Sequence, residues 1–198
     1  MTVATAIESS AARRAMIDSQ LRVSGVNQES VLAAMASVAR EDFMPANARG
    51  HAYIDRAIPL DSAHALPAPL FHGLMLAEAA PQQGERVLVV SCGSNYLPAL
   101  VEAMGASVEV ASAAEAAKGK LGAVGFTLLL IDGAVEHLPA SLVASLADGG
   151  RVVAGVVQRG VTSLASGIKA GGEVQLAPLT DIGIPVLTEF AAPKSWSF

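Results

Sequence analysis

The stretch from Arg86 to Ser91, RVLVVS, most constrains the fold, because its four consecutive large apolar residues cannot alternate between a buried and an exposed face. Such a run is typical of a strand covered on both sides, as in a parallel sheet with helices on each face. The residues that follow, Cys92 to Asn95, predict a loop that opens a helix. A loop in this position is where nucleotide-like ligands bind in α/β proteins.

Strands alternate with helices along the rest of the chain. The predicted strands are 87–91, 107–111, 126–131 and 151–157, and the predicted helices are 96–104, 113–121 and 139–146, the last ending at Asp148–Gly149–Gly150. From Val161 onward, turns at Gly171–Gly172 and Gly183 indicate antiparallel strands. The pattern predicts an α/β fold with a doubly wound, Rossmann-like sheet.

Helical spacing dominates the first sixty residues. The predicted elements are a helix over 9–23 ending at Ser24–Gly25, a second helix capped by Asn27, an irregular segment over 57–69 and a helix over 70–80. We expect a single domain in which residues 1–60 form an N-terminal helical lobe and residues 85–198 form the sheet.

Composition and charge restrict the kinds of partner that the chain is expected to have. The chain is 52% hydrophobic and only 16% charged, against ~25% charged residues in a typical soluble domain, so we expect a homo-oligomer, most simply a dimer, that buries part of its surface. A net charge of −5, with thirteen basic residues spread along the chain, predicts no nucleic-acid partner. The apolar run over 121–131 is much shorter than the ~20 residues needed to cross a bilayer, which predicts no membrane span.

The N-terminal segment does not have the pattern of a secretory signal. The two adjacent arginines of this segment follow a mildly apolar stretch, and no apolar core precedes a cleavage site, which predicts a cytoplasmic location. One cysteine, Cys92, excludes an internal disulfide, and the four histidines lack ligand spacing, so no metal site is expected.

Two N-terminal segments carry a family resemblance. MIDSQLRVSGVNQESVLAAMASVAREDFMP, followed by AYIDRAIPL, resembles the N-terminal lobe of protein-L-isoaspartate O-methyltransferases, and the tail IPVLTEFAAPKSWSF resembles a bacterial branch of them. The resemblance implies the S-adenosylmethionine (SAM) methyltransferase fold, SAM as cofactor, and methyl transfer to isoaspartyl residues of damaged proteins. By position it implies that Gly93, Ser94, Asn95, Ser112 and Asp132 are the remaining cofactor contacts.

The cofactor loop departs from the family pattern. Where the family has a strand ending in an acid and a loop of the type E-I-G-T-G-S-G-Y, this chain has Val89 to Tyr96, VVSCGSNY, with one glycine of three. A Cβ obstructs positive φ and close backbone approach to a ligand. Val89, in place of the acid, cannot orient the polar end of the cofactor.

The chain departs from the family pattern in three further places. The family acid that binds the ribose hydroxyls aligns with Ser112, a weaker acceptor than a carboxylate; nearby Glu115 is interpreted as part of a solvated helix face. Residues 113–125 are too few for the helix, strand and further crossover of the family, so one strand is expected to be missing and 107–111 to lie at a sheet edge. The family serine of the pattern I-S-x-P aligns with Pro67, which has neither a hydroxyl nor an amide hydrogen.

Several polar residues have a structural interpretation beside the functional one. Asp132 at the strand end is interpreted as a turn-forming Asp–Gly in preference to a ligand contact, and Glu136 with His137 as the start of a helix in preference to an acid/base pair. For His72 and Tyr96 we expect packing, for Cys92 a small buried side chain rather than a reactive thiol, and for Trp196 an anchor for the tail.

Three functions remain open on these residues. The favoured hypothesis is a methyltransferase-like protein in which SAM binding is lost or weakened, acting as a non-catalytic homo-oligomer or partner-binding module with no catalytic residue. The alternative is an active SAM-dependent O-methyltransferase acting on isoaspartyl residues; the substrate carboxylate is itself the nucleophile, so this chemistry needs no dedicated base. A third possibility is a different small molecule in the same crevice.

Overall fold

The structure, a computed structural model, describes residues 3–192, and side chains from Glu8 onward. Its helices are α1 (Val3–Met16), α2 (Glu29–Ser37), α3 (Pro69–Ala79), α4 (Tyr96–Ala103), α5 (Ala113–Ala117) and α6 (Ala140–Ser145). Its strands are β1 (Ile58–Pro59), β2 (Ala65–Leu66), β3 (Arg86–Ser91), β4 (Ser107–Ser112), β5 (Phe126–Val135), β6 (Leu146–Gln158), β7 (Val161–Ala170), β8 (Glu173–Val174) and β9 (Ala177–Asp181).

The central sheet has the order β4-β3-β5-β6-β7, with β8 and β9 both paired to β7. The pairs β3–β4, β3–β5 and β5–β6 are parallel, and the strands from β6 onward are antiparallel. Helices α2, α3 and α4 pack together, and α5 packs with α6. The predicted Rossmann-like sheet is therefore confirmed, with β4 at its edge as expected.

The core confirms the interpretation of the apolar run. Val87 to Val90 are completely buried in β3 and pair with strands on both sides. The first helix continues from α1 through a π-helical turn, Ile17–Leu21, and a 3-10 turn, Arg22–Ser24, and ends at Gly25 in the left-handed region (φ 93°) as predicted. None of the helices within residues 3–192 is long and apolar enough to cross a membrane.

Four element predictions need correction. Gln28 rather than Asn27 is the residue before α2, and its side chain does not cap the helix. Helix α5 ends at Ala117, not at residue 121, because Gly119 adopts positive φ. Helix α6 ends at Ser145, and Leu146 already pairs with Phe126; a bulge over 147–150 holds the expected Asp–Gly–Gly. The irregular segment over 57–69 contains the small antiparallel pair β1–β2, called the hairpin below (residues 58–66).

Candidate site at the carboxyl edge of the sheet

The candidate site lies outside the carboxyl ends of β3 and β5. From β3 the chain moves outward to β4, and it then returns to β5 on the other side of β3, so the strand order reverses between these two neighbours. Ligands of open α/β sheets bind in the crevice at such a reversal. All five predicted contacts belong to this edge: Gly93, Ser94 and Asn95 follow β3, Ser112 ends β4, and Asp132 follows the segment of β5 that pairs with β3.

The loop after β3 is bonded to its own surroundings. Gly93 has φ 99° and is exposed, and its amide donates to Ser91 Oγ at 3.0 Å. The buried Ser94 hydroxyl donates to the Phe43 carbonyl oxygen at 3.0 Å. Asn95 precedes α4 with an exposed side chain that does not cap the helix. Of these groups, only the Asn95 side chain and one face of Gly93 are open to a ligand.

Ser112 serves the helix that follows it. Its hydroxyl accepts from the Glu115 amide at 3.2 Å, and the Glu115 carboxylate in turn accepts from the Ser112 amide at 3.1 Å and hydroxyl at 2.6 Å. These hydrogen bonds lower the pKa of Glu115. The pair forms a reciprocal cap at the start of α5. Glu115 is therefore a capping residue, more specific than the solvated helix face that the sequence indicated.

Asp132 does not form a turn, because β5 continues through it to Val135. Its side chain is completely buried, and its two oxygens have different partners. Oδ1 lies 2.7 Å from His72 Nε2, and Oδ2 accepts from Cys92 Sγ at 3.1 Å. On its other side, His72 Nδ1 lies 3.3 Å from Arg40 Nη1. A buried chain of polar groups thus links Arg40, His72, Asp132 and Cys92; we call it the core relay.

The donors and acceptors of the core relay follow from the chemistry of its side chains. Arg40 can only donate, so His72 Nδ1 accepts, and the ring proton sits on Nε2 and is donated to Asp132. Burial lowers the pKa of His72 despite the neighbouring carboxylate, so the ring is neutral. Burial also lowers the pKa of Arg40. Both oxygens of Asp132 therefore have donors inside the core relay.

Aromatic rings enclose the core relay. The Arg40 guanidinium lies 5.0 Å from the centre of the Tyr96 ring and donates to the Pro67 carbonyl oxygen at 2.6 Å. The His72 and Tyr96 rings meet edge to face at 5.3 Å. Burial raises the pKa of Tyr96 to about 12. Pro67, which stands at the family serine position, thus contributes its carbonyl to the anchoring of a buried arginine.

The C-terminal part of the chain crosses this edge of the sheet. Residues 182–190, called the tail segment below, start beside Thr162 and reach the helix α5. The Ala134 amide donates to the Pro185 carbonyl at 2.8 Å, and the Leu187 amide donates to Ala134 at 2.9 Å. Ala134 lies beyond the last pair between β3 and β5, Val90–Ile131. The tail segment therefore pairs with β5 beyond the carboxyl end of β3.

Three side chains of the tail segment are buried: Ile184, Leu187 and Phe190. Leu187 is 2% exposed and Phe190 is completely buried. A Cβ at Gly133 would lie 2.6 Å from Leu187 Cγ, so only glycine allows this approach. The Phe190 carbonyl accepts from the amides of Glu136 and His137, each at 3.3 Å, and lies 2.9 Å from His137 Nδ1. Part of the crevice is thus filled by the chain itself.

A second histidine ties the tail segment to the hairpin. His64 Nε2 lies 2.7 Å from Glu189 Oε1, and His64 Nδ1 lies 3.0 Å from Asp61 Oδ2. The hydrogen bonds to Glu189 and then to Asp61 raise the pKa of His64. Burial opposes ionisation of Glu189, but the bond to His64, a backbone hydrogen bond and the His64 charge together outweigh it, so the pKa of Glu189 is lowered. We call Asp61, His64 and Glu189 the latch.

The remaining residues of interest take structural positions. Cys92 is buried, as predicted, and burial followed by the Asp132 charge raises its pKa. Glu136 accepts from the Ala192 amide at 2.7 Å, so it binds the chain after the tail segment rather than His137. Within the described part of the chain, no three His, Cys, Asp or Glu side chains are placed to hold a metal. Trp196 lies outside the described residues.

Sequence reasoning missed Arg40, Glu189 and the polar role of His72. Packing was the simpler expectation for His72, and its burial agrees, but the ring also bridges two charged side chains. His72 and Asp132 are sixty positions apart, and His64 and Glu189 are 125 apart. The available signal was a histidine inside the apolar run LFHGLML, but it did not indicate the partner, and Arg40 stands beside Glu41 and Asp42 in the sequence.

The Rossmann-like fold is shared with two solved methyltransferase structures. A putative protein-L-isoaspartate O-methyltransferase from Plasmodium falciparum, solved in complex with S-adenosyl-L-homocysteine, has a TM-score of 0.70 at 17% identity, covering 91% of this chain and 98% of that one. A second structure, described as protein-L-isoaspartate O-methyltransferase, has a TM-score of 0.67 at 14% identity, covering 88% and 65%.

Sequence comparison gives the family. The model of the family described as Protein-L-isoaspartate(D-aspartate) O-methyltransferase (PCMT) matches residues 11–118. Protein-L-isoaspartate O-methyltransferase of Methylorubrum populi is 34% identical over 166 residues, covering 72% of this chain and 78% of its own, and that of Methanoculleus marisnigri is 28% identical over 203 residues, covering 90% and 92%. This chain belongs to the protein-L-isoaspartate O-methyltransferase family.

Proposed function

We propose that this methyltransferase-like protein has lost or weakened SAM binding and acts as a non-catalytic homo-oligomer or partner-binding module. The departures from the family pattern at Val89 and Ser112 carry the proposal, and the tail segment adds to them. It hydrogen-bonds to β5 beyond the end of β3, and Leu187 and Phe190 are buried there. A nucleoside ligand of a doubly wound sheet needs the same crevice, so it would have to displace these side chains.

The polar groups of the crevice support the same conclusion. Asp132 is enclosed by His72 and Cys92, and Ser112 caps α5. The completely buried Val89 stands where the family has an acid. Each charge-assisted hydrogen bond to a cofactor contributes about 1.5–3 kcal/mol. Absence of the loop acid and of the ribose acid together therefore removes several kcal/mol of binding, about two or more orders of magnitude in affinity.

Isothermal titration calorimetry tests the loss of binding. SAM and S-adenosyl-L-homocysteine are each titrated into the full-length chain, with the Methylorubrum populi relative titrated in parallel as the reference. We expect heat of binding only from the reference. Micromolar binding of either compound to this chain would overturn the proposal.

The second candidate is an active SAM-dependent methyltransferase acting on isoaspartyl residues. It is favoured by the relative of that name at 34% identity and by Gly93, whose positive φ and exposed face keep one approach to the loop open. Transfer of a labelled methyl group from SAM to an isoaspartyl peptide tests it. Activity that Gly93→Val abolishes, while the exposed change Val124→Ala preserves it, would establish this candidate in place of the first.

The cellular setting belongs to the same proposal. We place the protein in the cytoplasm, which fractionation of the source cells tests: recovery with the membrane or secreted fraction contradicts it. Sedimentation velocity tests the homo-oligomer: a chain that stays monomeric up to its solubility limit contradicts it.

A further inference from the structure

A small groove lies beside the end of β5. Its volume is about 280 Å³, whereas pockets that hold small molecules usually measure ~300–1,000 Å³. Its lining combines buried or partly buried apolar side chains with exposed polar ones: Val135, Leu138, Val156 and Leu176 of the first kind, and Glu136 and Gln158 of the second. The groove therefore has the size for one large side chain and a mixed character that suits an amphipathic one.

The chain reaches this groove at Ala192. The Phe190 carbonyl accepts from the amides of Glu136 and His137, and the Ala192 amide donates to Glu136 Oε2 at 2.7 Å. Glu136 is itself one of the residues that line the groove. Residues 193–198, called the PKSWSF segment below, follow Ala192 directly and lie outside the described residues. The point from which this segment starts is therefore held at the rim of the groove.

The sequence of the PKSWSF segment alternates between two kinds of side chain. In an extended chain successive side chains point to opposite sides, so Trp196 and Phe198 would share one side and Ser195 and Ser197 the other. Such alternation is typical of a segment with one covered face. Trp196 comes four residues after Ala192, a reach of about 13 Å at full extension. The segment is therefore long enough to bring an aromatic ring to the groove.

We propose that the PKSWSF segment docks in the groove of its own chain, with the Trp196 ring as the anchor. Tryptophan suits this groove because its ring is apolar while its N–H needs an acceptor, and Glu136 and Gln158 both supply acceptor oxygens. Lys194 adds complementary charge, since it comes two residues after the amide that the Glu136 carboxylate binds. The proposal goes beyond the proposed function and does not depend on the loss of SAM binding.

The short connection favours the groove of the same chain over that of a second copy. Only residues 193–195 separate Ala192 from Trp196. A short link gives a docking group an effective concentration on the order of millimolar, which is above the concentration of the protein in dilute solution. A second copy would therefore have to displace a ring that is already held nearby.

Fluorescence tests the docking, because the sequence contains a single tryptophan. The full-length wild-type chain should emit at a shorter wavelength than the urea-unfolded chain, and acrylamide should quench its emission slowly. Leu176→Glu places a charge in the groove and should move the emission toward that of the unfolded chain. Leu179→Glu, at a 48% exposed leucine of β9 outside the groove, is the matched control and should leave the emission unchanged. Circular dichroism and the Tm check that each variant is folded.

Amide hydrogen exchange tests what the docking does for the tail segment. The Ile182 amide donates to the Thr162 carbonyl at the start of the tail segment, and a docked Trp196 would hold the chain beyond its end. The Leu187 amide, which donates to Ala134, should therefore exchange severalfold faster in Trp196→Ala than in the wild type. Trp196→Phe keeps an aromatic ring and should retain most of the protection, with the amides of β3 as the internal reference. Equal exchange of the Leu187 amide in all three proteins would overturn the anchoring role.

Three fluorescence results would overturn the docking. Emission and quenching of the folded wild type equal to those of the unfolded chain would show that Trp196 is exposed. Wild-type emission from a folded Leu176→Glu variant would place the ring outside the groove. Emission that changes with protein concentration would assign the groove to the PKSWSF segment of a second copy. These results are separate from the SAM titration: binding of SAM by a chain with a docked Trp196 would overturn the loss of cofactor binding and leave the docking standing.

Discussion

The core relay and the latch each place a histidine between two charged or polar partners, and the two histidines have opposite pKa shifts. His72 is completely buried, so desolvation outweighs the Asp132 carboxylate and lowers its pKa. His64 keeps 24% of its side chain exposed, and its two carboxylates raise its pKa. Neighbouring carboxylates alone do not determine the charge of a histidine. They raise its pKa only where enough water remains around the ring to keep the cost of desolvation small.

The largest effect is expected from Asp132→Ala. This change leaves the buried His72 Nε2 proton and the Cys92 thiol without their acceptor, and each buried donor left unsatisfied costs about 1–3 kcal/mol. The free energy of unfolding from urea denaturation measures it. Asp181→Ala is the control: the Asp181 residue is exposed and accepts from Ser163 Oγ at 2.6 Å, so a small loss is expected. Similar losses for both variants would show that the core relay adds little stability.

Arg40→Met is expected to cost less, because methionine fills the volume and Asp132 keeps the donors His72 and Cys92. Its more specific effect is expected on the pKa of His72. The Arg40 charge contributes to the lowered pKa of His72, so its removal should raise that pKa. Titration of the His72 ring by NMR measures the shift. A His72 pKa that stays constant would mean that desolvation alone accounts for it.

His64→Gln should alter the pH dependence of stability. The folded-state pKa of His64 is raised, so its contribution is complete below the unfolded value of about 6.5 and is lost as pH rises through the folded-state pKa. We expect wild-type stability to fall by roughly 0.2–1 kcal/mol across that range and the variant to lack this component. Denaturation at a series of pH values measures it, with His51→Gln as the control. A fall of the same size in His64→Gln would argue against the latch.

The smallest expected effect is that of salt. The latch is partly exposed, so raising the ionic strength to about 1 M, where the Debye length is about 3 Å, should weaken it. The core relay is shielded from ions by its burial. At a pH where His64 is charged, salt should therefore reduce the difference between wild type and His64→Gln, but not that between wild type and Asp132→Ala. Equal salt sensitivity of both differences would contradict the comparison.

Much of the fold was predictable because it depends on local patterns. The buried run Val87 to Val90 and the left-handed Gly25 follow from spacing within a few residues. The edge position of β4 followed from the short interval 113–125 when it is compared with the family. The candidate site was less predictable. The sequence placed Asp132 at the end of a strand, but β5 continues beyond it, paired with β6 on one side and with the tail segment on the other. The tail segment comes from about fifty residues later in the chain.

The sequence by itself determined the family, the order of strands and helices, and the loss of the glycines and acids of the cofactor loop, because these are properties of residue type and neighbouring positions. Tertiary structure alone decided what replaced them. Arg40, His72 and Asp132 meet, and Leu187 and Phe190 fill the edge of the sheet, through contacts between segments far apart in the chain. Burial and hydrogen bonding between such segments depend on distances that no local pattern specifies.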